Sequence, residues 1–254
     1  MSEINVIPIG SGSTGNSIYI EIDDLAFLVD MGIGYRKVNE ALLNNKRSMD
    51  DIKAIFVTHG HNDHIKAATA ICNHTDCKVY TNKTVMYGIR DVNAERVELT
   101  VNKVAEVLPG FKVDMFAVPH DFVQTCAYTF TYKNKKVSYL TDCGETNDHI
   151  LSKLYDSDLV IIESNHDIEM LKHGPYPKFL QERIMSEYGH LSNEQCAKII
   201  HALYKKGTKN FILAHLSLNN NTTKLAYEES SKIINDKDVF IHVCEKESDV
   251  LLSF

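Results

Sequence analysis

Apolar and polar positions follow two strand-like patterns along this chain. Ile4-Asn5-Val6-Ile7-Pro8-Ile9, Ser17-Ile18-Tyr19-Ile20-Glu21-Ile22 and Ala127-Tyr128-Thr129-Phe130-Thr131-Tyr132 alternate, as strands with one face in a core do. Leu25-Ala26-Phe27-Leu28-Val29, Ala54-Ile55-Phe56-Val57, Leu159-Val160-Ile161-Ile162 and Phe211-Ile212-Leu213-Ala214 are unbroken apolar runs, the pattern of strands covered on both faces. Further strands are predicted over 111–118, 136–140, 239–243 and 250–252, and mostly short strands fill 78–132 apart from a helix near Thr84–Ile89.

Helical spacing is sparser. Val38, Leu42 and Leu43 predict one helix, and Ala67, Ala68, Ala70 and Ile71 another. Ser192-Asn193-Glu194-Gln195 is a capping box ahead of Cys196, Ile199, Ile200 and Leu203, and a last helix runs from Thr222 to about Asn235. The stretch up to Glu187 reads as irregular: His173-Gly174-Pro175-Tyr176-Pro177 is a stiff loop that could wall a cleft, followed by a short helix around Phe179–Met185. With no solenoid-length repeat and no low-complexity linker, two sheets flanked by helices account for this order.

The strands share one habit: their polar residues come at the end. Asp30 follows 25–29, His120 follows 111–118, Asp142 follows 136–140, Glu163-Ser164-Asn165-His166 follows 159–162, and His215 follows 211–214. The densest case is Thr58-His59-Gly60-His61-Asn62-Asp63-His64, which leaves the buried run 54–57 directly. Neutral imidazole and carboxylate suit Zn, Mn or Fe. One ion needs about four donors, so this loop, completed by distant residues, points to two neighbouring divalent ions. Asp30 reads either as an acid that orients a metal-bound histidine or as a turn acid. Gly10-Ser11-Gly12-Ser13-Thr14-Gly15-Asn16 superficially resembles a phosphate loop. It lacks the lysine and the following helix, so a structural turn near the active face is expected.

Composition narrows the class. At 254 residues with a net charge of −7, the chain does not hold nucleic acid by bulk charge, although metal ions would make phosphate affinity local. Lys133–Lys136 and Lys205–Lys209 read as solvated turns. Six scattered cysteines indicate buried thiols, and Cys72, His74 and Cys77 do not have zinc-ribbon spacing. The opening Met1-Ser2-Glu3 carries neither the basic nor the apolar stretch of a secretory leader, so none is expected, and no apolar run approaches the roughly 20 residues of a membrane span. A cytoplasmic location is expected.

With these residues in view, the chain resembles the metallo-β-lactamase superfamily, matching in order His59-x-His61-x-Asp63-His64, His120, Asp142 and His215. A narrower resemblance, to the YycJ (WalJ) proteins of Gram-positive bacteria, is carried by residues 10–16, Glu163-Ser164-Asn165-His166-Asp167, Gly174-Pro175-Tyr176-Pro177, Gly189-His190-Leu191-Ser192-Asn193 and Asn219-Asn220-Asn221. It implies an α/β fold, a four-layer αβ/βα sandwich forming a single domain over residues 1–254. It further implies a two-metal site in which His59, His61 and His120 hold one ion, Asp63, His64 and His215 the other, and Asp142 bridges. Asp30 would stand behind the ligands. Asp63 and His190 would be catalytic, and Asn165 and His190 would meet the substrate. The short interval between Asp142 and His190 leaves no room for the clamp domain of larger nucleases in this superfamily.

The implied activity is that of a dinuclear-metal phosphodiesterase, a 5′-to-3′ exodeoxyribonuclease using a metal-bridging hydroxide, with DNA as a transient partner. The same scaffold could instead serve a small-molecule hydrolase of a cyclic phosphodiester, thioester or lactam, or a non-catalytic metal-binding regulator. A di-iron redox protein is disfavoured because His61 stands where such relatives have glutamate. Metal identity, DNA against RNA, polarity and oligomeric state stay open.

Overall fold

A computed structural model of the protein describes residues 3–89, 92–234 and 236–254. The first half runs β1 (Ile4–Gly10), β2 (Ser17–Ile22), β3 (Leu25–Val29), α1 (Tyr35–Asn44), β4 (Ile52–Phe56), α2 (Asn62–Ile65), α3 (Ala68–Cys72), β5 (Lys78–Thr81), α4 (Lys83–Gly88) and β6 (Arg96–Glu98). The second runs β7 (Lys103–Leu108), β8 (Phe111–Ala117), β9 (Cys126–Tyr132), β10 (Lys135–Leu140), α5 (Asp148–Leu154), β11 (Leu159–Glu163), α6 (Ile168–His173), α7 (Lys178–Ile184), α8 (Asn193–Tyr204), β12 (Asn210–Ala214), α9 (Thr223–Ile233), β13 (Phe240–Val243) and β14 (Leu252–Ser253).

Two sheets result, ordered β14-β1-β2-β3-β4-β5-β6 and β13-β12-β11-β10-β9-β8-β7. Each has an antiparallel half and a parallel half: β3 to β6 pair in parallel in the first, and β10 to β13 in the second. Parallel strands leave their sheet at the same edge, so the loops after β3 and β4, and after β10, β11 and β12, gather there. That convergence places the polar strand ends together.

The inner faces meet in a core containing Phe27, Phe56, Phe111 and Phe130, all inaccessible to solvent. The Phe27 and Phe130 ring centroids lie 4.5 Å apart. Burying such a ring contributes roughly 1.5–3 kcal/mol. On the outer faces, Val38, Ala41 and Leu42 of α1 cover the first sheet with Ile71, while Cys196, Ile200 and Leu203 of α8 cover the second. The result is two sheets flanked by helices, as the order of strands and helices predicts, stacked in the four-layer sandwich that the family resemblance implies.

Several local expectations change. Leu43 is exposed, so the buried stripe of α1 is Val38, Ala41 and Leu42. Residues 62–72 form two short helices, and Ala70 faces outward. The stretch before Glu187 is less irregular than its composition suggested: Asp167 caps α6 by accepting from the Met170 amide (2.8 Å). Helix α5 was not foreseen; Asn147 caps it, and Ile150 and Leu154 are its buried residues. The closing strand is only Leu252–Ser253. Met1 and Ser2, and Asn235, where the last helix was expected to end, lie outside the described residues. All six cysteines are buried free thiols. The Lys133–Lys136 turn is committed to the fold, with Lys133 paired to Asp23 and Asp24, and Lys135 to Asp158.

Candidate metal centre

The loop after β4 descends into the gathered edge. His59 and His64 are fully buried, while His61 and Asp63 face a cleft of about 210 Å³ that is also lined by His120, Asp142, His190 and His215. His59 Nε2 and His61 Nδ1 are 3.0 Å apart, a spacing at which two imidazoles share a proton or a cation. The three side chains of His59, His61 and His120 can bring one donor atom each within 4.8 Å of one another, and so can Asp63, His64 and His215. Asp142 lies between these sets, with Oδ1 3.7 Å from His120 Nε2 and Oδ2 3.3 Å from His64 Nε2. Tetrahedral ligands bonded at about 2.0–2.2 Å are separated by roughly 3.3–3.6 Å, so these gaps match the edges of a coordination polyhedron.

Two atoms test the fit directly. Asp142 Oδ2 and His215 Nε2 are buried and make no hydrogen bond. A buried polar atom left without a partner costs about 1–3 kcal/mol and requires a reason. A divalent cation held by these side chains would remove that cost, and the surrounding donor set of imidazoles and carboxylates is the one such ions prefer.

Behind the cleft, each ring is held by its other nitrogen. His64 Nδ1 donates to Asp30 Oδ2 (2.8 Å), and Asp30 Oδ1 accepts from the Thr58 amide (2.9 Å). His120 Nδ1 donates to the Gly189 carbonyl (3.0 Å). Asp30 is therefore a buried orienting acid and not a turn acid. Its counterpart in the other sheet is Glu163, whose Oε1 accepts from His190 Nδ1 (2.8 Å) and His215 Nδ1 (2.7 Å). Glu163 Oε2 takes the Leu191 amide (3.0 Å). In the sequence Glu163 stands out as a polar strand-end residue and as part of the Glu163–Asp167 segment that carries the family resemblance, but with no role attached; an acid closing a fully buried strand is the signal available.

The backbone is bent to hold this arrangement. Asp30, Asp142 and His215 all have left-handed φ, of 64°, 55° and 57°. Each costs of order 1–3 kcal/mol unless its neighbours fix it. For His215 they do: its amide donates to Ser11 Oγ (2.7 Å), and its carbonyl accepts from Asn165 Nδ2 (2.9 Å). The glycine-rich turn serves the same end, since Asn16 Nδ2 lies 3.2 Å from Asp63 Oδ2 and 3.0 Å from His64 Nε2. At Gly32 a Cβ would sit 1.7 Å from the Asp63 carbonyl oxygen, so only glycine lets the strand pass this close.

Charges in the cleft are strongly coupled. Burial opposes a charged His64, but Asp30, Asp142 and Asp63 outweigh it and raise the ring to about 9. Burial likewise opposes charge on His215, and Asp142 and Glu163 again prevail, holding it well above the ordinary range. His59 goes the other way, far down, because burial and the neighbouring rings of His64 and His120 all disfavour its cation. Burial favours a neutral Glu163, yet His190 and His215 keep it ionised below the ordinary carboxylate range.

The remaining expected residues are also placed here. His190 lines the cleft with its Nδ1 on Glu163, and Asn165 lines it with its amide committed to His215. Two more lining residues, Tyr176 and Arg183, come from the stretch read as a stiff loop and short helix. Arg183 is paired with Asp121, whose other oxygen is 3.2 Å from His120 Nε2. No sequence pattern had singled out either Arg183 or Asp121.

Comparison with known proteins gives a consistent result. The family model for the Beta-lactamase superfamily domain matches residues 26–216. The exodeoxyribonuclease YycJ of Bacillus anthracis is 34% identical over 234 residues, covering 90% of this chain and 88% of that protein. The exodeoxyribonuclease WalJ of Streptococcus pneumoniae is 32% identical, covering 86% and 84%. Among solved structures, the metallo-β-lactamase fold protein YhfI from Bacillus subtilis superposes with a TM-score of 0.72 at 15% identity, covering 100% of both chains.

Proposed function

This chain belongs to the metallo-β-lactamase superfamily and, within it, to the family of the exodeoxyribonucleases YycJ and WalJ, and we propose that it removes nucleotides from DNA in the 5′-to-3′ direction. The enzyme is a metal-dependent hydrolase. The observation that carries the reading is the pair of buried, unpartnered atoms Asp142 Oδ2 and His215 Nε2 inside a ring of metal-capable side chains.

In this reading His59, His61 and His120 would hold one divalent cation, Asp63, His64 and His215 would hold the second, and Asp142 would contribute to both. Zinc, manganese and iron all suit such ligands. When bound, the cations supply Lewis acidity toward phosphoryl oxygens and acidify water at neutral pH. Asp30 and Glu163 keep the ligand rings in the tautomer that turns a lone pair toward the cleft.

His190 carries the proton in the second half of the reaction. Glu163 fixes its Nδ1, which leaves Nε2 as the nitrogen available to the cleft. Burial opposes its cation, but Glu163 raises its pKa above the ordinary imidazole range, favouring the acid form. As the oxygen of a water that has given up one proton to solvent bonds to phosphorus, and the bond from phosphorus to the sugar oxygen breaks, the sugar oxygen takes the His190 proton, and solvent returns a proton to His190. Asn165 acts by fixing the His215 backbone and by lining the cleft. At about 210 Å³ the cleft is smaller than the roughly 300–1,000 Å³ of sites that enclose a whole small ligand. It suits one phosphodiester group whose flanking nucleotides lie outside.

DNA is the proposed partner. Among the described residues no helix is long and apolar enough to cross a membrane, and a cytoplasmic site of action is part of the proposal. The test is incubation of manganese-loaded protein with 5′- and 3′-end-labelled single- and double-stranded DNA, RNA and a bis-aryl phosphodiester. Stepwise release of mononucleotides from the 5′ end of DNA is expected. Hydrolysis of the small diester alone would overturn the nuclease assignment and leave a small-molecule hydrolase.

A further inference from the structure

A second concavity opens beside the catalytic cleft. It measures about 440 Å³ and is lined by Thr14, Ile33, Gly34, Tyr35, Arg36 and Lys66, among others. The two cavities share a wall: Ser13 lines the cleft and the adjoining Thr14 the groove, while Asp63 lines the cleft and Lys66, at the end of the same short helix, the groove. Lys66 Nζ also donates to the Thr14 carbonyl.

Its charge runs against the rest of the molecule. Arg36, Lys37 and Lys66 line it against one carboxylate, Glu247, in a chain of net charge −7. Glu247 is paired with Lys37, and among the described residues no carboxylate pairs with Arg36 or Lys66. The adjoining groove, lined by Glu40, Glu247 and Asp249 with Lys37 alone, is acidic by contrast. An aromatic surface completes the site: the Tyr35 ring, which lines the groove, lies stacked on His74 at 3.8 Å between centroids.

Resting on the exonuclease reading, we propose that this groove binds the single DNA strand beyond the scissile phosphate, one base against Ile33 and Tyr35 and the adjoining phosphates on Arg36 and Lys66. A cleft with room for little more than one phosphodiester needs such an extension. Cations flanking an aromatic wall are how single strands are gripped without regard to sequence. Among the described residues, none of the polar side chains lining the groove is buried, so the grip is expected to be indifferent to base.

Gly34 offers a clean probe. It lies in the groove in extended conformation, with φ −60° and ψ 142°, and a Cβ there would meet nothing within 4 Å. Gly34→Trp therefore fills the groove without backbone strain, and a Arg36→Ala/Lys66→Ala double variant removes its charge. Binding of fluorescein-labelled deoxythymidine 12-mer is followed by anisotropy in EDTA over a range of salt, and hydrolysis of a bis-aryl phosphodiester with manganese is followed in parallel. The double variant is expected to bind about ten-fold or more weakly, with its log–log salt slope reduced by roughly 1.4, as for two lost single-strand phosphate contacts. Gly34→Trp is expected to weaken binding about ten-fold with its slope unchanged, and both variants are expected to hydrolyse the small diester normally. Wild-type affinity and slope in both variants would overturn the proposal, as would self-association of the wild type that Gly34→Trp alone abolishes. Oligonucleotide bound through the groove but never cut on adding manganese would overturn the nuclease reading and leave the groove assignment standing.

Discussion

Glu163 Oε1 stands 2.7 Å from His215 Nδ1, with both groups enclosed by protein. Asp30 stands in the same relation to His64, 2.8 Å from its Nδ1. Each sheet thus supplies one buried carboxylate that fixes a histidine of the proposed metal centre from behind. Such outer partners raise ligand basicity and set ring orientation, and their loss typically costs 10–100-fold in metal affinity.

Glu163→Gln keeps the shape of the side chain and removes its charge. Chelator competition is expected to show metal affinity reduced by about 10–100-fold with an unchanged fold by circular dichroism. Wild-type affinity would show that Glu163 has no part in orienting the ligands.

Asp142→Ala removes the side chain that stands between the two donor sets. Elemental analysis of the purified variant is expected to find at least one cation fewer per chain than in the wild type. Retention of two would rule out the bridge.

His190→Ala separates chemistry from metal binding. Turnover on DNA is expected to fall about 10²–10⁴-fold, the usual contribution of a positioned acid, while metal content stays at the wild-type level. Full turnover would remove His190 from the mechanism.

The pH dependence has a definite sign. In the metal-free chain His64 is raised from its ordinary value to about 9, and His215 is raised in the same direction. Protonation of these rings stabilises the fold below about pH 6.5, and that contribution is lost as pH rises toward 9. Melting in EDTA is therefore expected at lower temperature at pH 9 than at pH 6.5. Metal must displace the same protons, so the gain in Tm on adding manganese is expected to grow over that interval. A gain that shrinks with pH would contradict these directions.

Away from the site, Phe27 packs against Phe56, Phe111 and Phe130 between the sheets. Phe27→Ala is expected to destabilise by about 3–5 kcal/mol in urea unfolding, against well under half that for Leu43→Ala on the exposed face of α1.

The sheet strands were legible because burial on one or two faces imposes either alternation or unbroken apolar runs, as in 17–22 and 159–162. The seven proposed ligands were legible because histidines and acids end those strands, and their order in the chain resembles a known family. Short helices were less so: α6 has six residues and buries only Leu171, too little for a periodic pattern. Ala70 looked like a core residue from its spacing, but the break between α2 and α3 turns it outward. Glu163 and Arg183 were obscured for different reasons. A lone acid at a strand end says nothing of which rings it meets until two sheets are brought together, and an arginine on a seven-residue helix is by default a solvated one.

The most direct measurement is an anomalous-difference map from crystals of the manganese-loaded protein. Two peaks are expected, one among His59, His61 and His120 and one among Asp63, His64 and His215, with Asp142 reaching both. A single peak, or density outside these side chains, would contradict the two-metal centre on which the proposed hydrolysis depends.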